Sequence, residues 1–128
     1  MMNKNYFLSL ILIVSLLVFF STAVTPVFSA EKSSSVLLEK VANDYTKKFC
    51  NGIGFGLSKE SAMTFAMKEN NLTFKNKKGI DLLSNELLST KIANSVIDRC
   101  GFPIDLIGDV GIQEFKNDYI SLKKSIID

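Results

Sequence analysis

The sequence predicts an all-α protein: a small bundle of about four helices, tied by one disulfide and preceded by a signal peptide. Three observations predict it. Apolar residues recur at three- and four-residue spacing in four segments, and no segment alternates as a half-buried strand would. Glycine, asparagine and proline punctuate the gaps between those segments. The first thirty residues are apolar and carry a single charge, Lys4.

That leader comes first in the chain. The run FLSLILIVSLLVFF, Phe7 to Phe20, is apolar apart from two serines. A basic start, an apolar middle and a small-residue end have the order of a secretory signal peptide. The apolar core is short for a full span, which needs roughly 20 residues. Extended through Ser21–Val24 it approaches that length, so residues 1–30 read as a signal peptide, with an uncleaved anchor as the alternative. Ser29, with Val27 two positions before it, suits a peptidase that wants small side chains; Ala30 and Ala23 are alternatives. The mature chain is expected to start between Ala30 and Ser33. No paired arginines precede the apolar run, as expected for export in the unfolded state, and no cysteine directly follows it for a lipid anchor.

Residues 31–128 read as one small helical domain, enough for one modest core. Without Lys4 the 15 basic residues become 14, against 13 acidic ones. That balance excludes a nucleic-acid partner, which needs a clustered basic excess.

Within the domain, EKSSS (31–35) reads as a flexible lead-in. The first helix is expected over Val36–Cys50, with Leu38, Val41, Ala42, Tyr45 and Phe49 on one face. Asn51-Gly52 reads as its stop. The stretch GIGFGLS (52–58) reads as a tight connection in which Ile53 and Phe55 plug the core, and Ser58 caps the next helix. That second helix is expected over Lys59–Glu69, ended by Asn70-Asn71, with LTFKNKKG (72–79) as a loop anchored by Phe74. A third helix, Asn85–Arg99, carries Leu88, Ile92 and Val96, and Gly101 and Pro103 stop it. Residues 102–111 read as a loop or short turn. The last helix, Ile112–Ile127, places Ile112, Phe115, Tyr119, Leu122 and Ile126 in a narrow seam suited to a neighbouring helix or a second copy.

Cys50 and Cys100 are the only cysteines and both lie after the leader. An even count in an oxidising compartment favours a disulfide. If the first and third helices run side by side and parallel, their final turns bring the two together.

The chemistry is sparse. The chain has no histidine, which removes the usual Ser-His-Asp and Cys-His arrangements. Two cysteines without histidine do not complete a usual zinc site. The glycine stretch lacks both the Lys-Ser/Thr ending of a phosphate loop and the strand that precedes a dinucleotide site. Asp105 and Asp109 read as solvated loop acids, and Lys75, Lys77 and Lys78 as a solvated basic loop. No cofactor and no enzymatic activity are expected.

The stretch FCNGIGFGLSKESAMTFAMKEN with the later DRCGFP resembles uncharacterised small exported proteins of marine cyanobacteria. The resemblance spans about residues 45–104. It implies a compartment, periplasm or thylakoid lumen, and no mechanism. The expected function is therefore a non-enzymatic accessory or binding protein whose partner is another protein or a membrane complex. Membrane contact would come only through an uncleaved leader. The alternative is a small-ligand carrier with a cavity lined by Met63, Phe65, Met67 and Phe74. The side chains singled out as a partner or ligand surface are Ile53, Phe55, Met63, Met67, Phe115, Tyr119 and Leu122.

Overall fold

Four α-helices, joined at two places by 3₁₀ turns, make up the structure, a computed structural model that describes residues 27–127. They are α1 (Val27–Gly54), α2 (Lys59–Phe74), α3 (Asn85–Cys100) and α4 (Gly108–Ile127). The turns are Ile80–Leu82 and Phe102–Ile104, and no strand occurs among the described residues. The chain divides into two units, Met1–Glu31 and Lys32–Asp128. The helical domain is the second; the leader reading falls almost wholly outside the described residues. No described helix is long and apolar enough to cross a membrane.

The helix directions follow from their contacts. The Asn70 amide on α2 donates to the Val41 carbonyl (3.0 Å) and to Asp44 (2.8 Å) on α1, while Ala62 lies against Gly52. Rising numbers on one helix meet falling numbers on the other, so α1 and α2 are antiparallel. Cys50 bonds Cys100, with Cα atoms 5.7 Å apart, and Glu39 pairs with Lys91 at 2.6 Å. Those contacts are 11 residues apart on α1 and 9 on α3 in the same sense, so α1 and α3 run parallel. The expected pairing and its parallel arrangement are both present. Glu86 with Lys116 and Asn85 with Lys123 make α4 antiparallel to α3.

The core is built from the predicted stripes. Val41, Ala42, Tyr45 and Phe49 of α1 meet Phe115 and Tyr119 of α4. Tyr45 stands edge-on to Tyr119 (5.2 Å, 84°) and Phe49 edge-on to Phe115 (5.1 Å, 82°), the geometry aromatic quadrupoles favour. Leu88, Ile92, Ala93 and Val96 of α3 and Ala62, Met63, Ala66 and Met67 of α2 complete it.

Several boundaries differ from the sequence reading. EKSSS is helical rather than a lead-in. Nothing in Val27–Val36 breaks a helix, and Ser35 donates to the Lys32 carbonyl (2.9 Å). Residues 32–36 of this first stretch are exposed. At the other end, α1 passes through Asn51-Gly52. Gly56, at φ 87°, supplies the left-handed residue that ends it. Leu57 N–H bonds the Gly52 carbonyl (3.0 Å) and Gly56 N–H the Ile53 carbonyl (2.9 Å), the paired bonds of a Schellman closure. Asn70-Asn71 does not stop α2, because the Asn70 side chain is spent on α1 instead of on its own backbone. α4 begins at Gly108, four residues before the seam.

Candidate docking surface

Parallel α1 and α3 finish at the same end of the domain, so the α1–α2 and α3–α4 junctions lie together beside the disulfide. The α3–α4 junction is tightly folded. Leu106 turns back into the core, and its N–H bonds the Gly101 carbonyl (3.1 Å). A Cβ on Gly101 would sit 2.4 Å from the Leu106 carbonyl oxygen, and one on Gly111 2.7 Å from the Leu106 carbonyl carbon. Only glycine admits that approach at either position. The covalent bond at Cys100 fixes the start of the same loop.

These rigid junctions present large apolar side chains to solvent. Phe55 is 87 % exposed, Phe102 82 % and Val110 80 %; Ile107 and Leu57 are exposed beside them. Of the ten large apolar residues exposed among the described ones, these five belong to the two junctions or the first turn of α4. Single exposed apolar residues elsewhere, such as Phe65 and Leu87, are ordinary. Five gathered at one end of so small a domain make that end the candidate docking surface.

The residues singled out from sequence divide sharply. Phe55 belongs to this surface and does not plug the core, because the Schellman turn carries it outward. Ile53 is half-buried behind it. Met63, Met67, Phe115 and Tyr119 are core residues, all but fully buried in the folded domain. The seam of α4 is buried within the domain, with Leu122 half-covered at its margin. Among the described residues the four side chains expected to line a Met/Phe cavity are spread over different places. Met63 is packed, Phe65 is about half exposed, and Met67 and Phe74 share a cleft of only about 70 Å³ with Val41, Ile80, Leu88 and Tyr119.

Two further hollows among the described residues are open to solvent. One, about 310 Å³, lies between α2 and α4 and is lined by Lys59, Met63, Thr64, Asp118, Ser121 and Leu122, among others. Lys59 there pairs with Asp118 (2.9 Å) and Glu114 (3.1 Å). The hydrogen bond to Asp118 does most to raise its pKa, against an opposing desolvation. The second, about 380 Å³, is lined by Asn43, Thr46, Ser95, Asp98 and Arg99. No cluster of three or more metal-ligating side chains occurs among the described residues.

Leu57, Phe102, Ile107 and Val110 escaped the sequence reading. They fall between glycines and outside every helical stripe, which is the signal that would have found them: apolar residues with no periodic partner. No protein-family model, no curated protein and no solved structure matches the chain.

Proposed function

We propose that this chain is an exported, non-enzymatic accessory protein of the periplasm or thylakoid lumen that docks on another protein through the disulfide end of its bundle. The observation that carries this reading is the set Phe55, Phe102 and Val110, each at least 80 % exposed on a rigid junction. Rigid aromatic side chains lose little entropy when bound, and they dominate protein interfaces. Export is supported by the apolar leader pattern and by a cysteine pair suited to an oxidising compartment. The carrier reading draws less support, because the cleft shared by Met67 and Phe74, about 70 Å³, is well below the roughly 300–1,000 Å³ of ligand pockets, and the hollow of about 310 Å³ that Met63 lines is open to solvent.

The test is the double variant Phe55→Ser/Phe102→Ser, produced with its own leader in cells that export it. Both side chains are exposed, so thermal stability should change little. Gentle extracts should then show the wild type in a larger assembly by gel filtration and the variant at monomer size. A wild type that elutes as a free monomer from native membranes and soluble fractions alike would sink the proposal.

A further inference from the structure

We infer that the occupant of this surface is a protein segment whose apolar side chains are flanked by lysine or arginine. The inference rests on the docking reading above and adds the chemistry of the partner. Residues 51–58 and 101–111 hold two charges, Asp105 and Asp109, and no cation. Both acids are exposed, and neither takes part in an ion pair. Glu60 and Asp98, also exposed and unpaired, add to the acidic margin. Three cations border the junctions, and Lys48 is neutralised by Asp44. Lys59 is neutralised by Asp118 and Glu114, which leaves Arg99 against four free acids.

An apolar centre with an acidic margin is complementary to an apolar centre with a basic one, and the margin selects the partner by sign. The same sign disfavours an anionic bilayer, whose surface attracts cationic rather than acidic margins. It disfavours two copies meeting face to face, since that brings the acids together. The rigidity of the junctions also favours a protein partner, because a surface fixed in advance gains most where shape must match.

Amide chemical shifts of the oxidised protein, followed during titration with synthetic peptides, test this. One peptide is an amphipathic helix with a leucine and phenylalanine face flanked by lysines; its twin carries glutamates at those lysine positions. The lysine peptide should shift residues 52–57 and 101–111 and bind more weakly as salt is added. Asp105→Asn/Asp109→Asn should weaken it by about 2- to 10-fold, the range for a few exposed charge pairs. Equal binding of the glutamate twin at the same residues overturns the charge rule while leaving the docking surface standing. If neither peptide touches those residues, both readings fall. Binding to phosphatidylcholine vesicles in place of either peptide assigns the surface to lipid and overturns the inference. So does sedimentation as a dimer with the junction amides protected, which assigns it to a second copy.

Discussion

At the scale of single residues, the core turns on aromatic pairs that the helical spacing places one turn apart, Tyr45 with Phe49 and Phe115 with Tyr119. Phe115 is fully buried at the centre. Replacing it with alanine should destabilise the domain by about 3–5 kcal/mol in urea unfolding, the transfer cost plus the cavity left behind. Tyr45 is equally buried, yet no protein group accepts or donates at its hydroxyl. Tyr45→Phe should therefore be neutral or slightly stabilising, since it removes a buried hydroxyl that makes no hydrogen bond in the fold. Burial, with a smaller contribution from Tyr119, pushes the Tyr45 pKa well above 10, and burial pushes Tyr119 to about 12. Both hydroxyls stay protonated in the fold but ionise near pH 10 once unfolded. Stability is thus full below pH 10 and falls as pH climbs toward 12. Tyrosinate absorbance should appear together with loss of helical circular dichroism. Gradual ionisation at constant helicity would contradict this burial.

At the scale of elements, the helices hold one another through a few specific side chains. Asn70, Asp44, Lys48 and Thr73 form a continuous chain of hydrogen bonds between α1 and α2. Asn70→Ala removes both of its bonds to α1, leaving Lys48 as the partner of Asp44, and should cost about 1–3 kcal/mol. Gly101→Ala should cost a similar amount, because its Cβ meets backbone that has nowhere to move. By contrast, a chain beginning at Val36 should be as stable as one beginning at Lys32, since residues 32–35 are exposed. Denaturant midpoints of the three proteins check all of this. The four stripes were legible because helical periodicity records burial directly, and Ser58 was legible because its hydroxyl caps the nearby Ser61 N–H (3.2 Å). The ends of α1 and α2 were not. Asn51-Gly52 and Asn70-Asn71 look like stops, but local chemistry loses where a tertiary partner is available. Asn70 finds α1, and Gly52 gives its missing side chain to Ala62 and Leu57.

At the scale of the whole molecule, one covalent bond joins the ends of two parallel helices 50 residues apart in sequence. Closing that loop stabilises by roughly 4 kcal/mol in the chain-entropy model, a large share of the roughly 5–15 kcal/mol a small domain has. Reduction should therefore lower the urea midpoint sharply, and thiol labelling of oxidised, denatured protein should find no free thiol at monomer mass. The bond does more than stabilise, since it fixes the loop that displays Phe102 and Ile107. The pairing was legible in the sequence, but the surface beside it was not, because a side chain presented to solvent leaves no period to detect. The most direct test of that surface is a photoreactive side chain placed at Phe55, Phe102 or Val110 in the exported protein, with Leu82 (83 % exposed) and Leu87 (61 %) as exposed controls outside the two junctions. Crosslinking in intact cells should give one discrete adduct from the three junction positions and none from the controls. Adducts from the controls alone, or the same diffuse labelling at all five positions, would contradict the account.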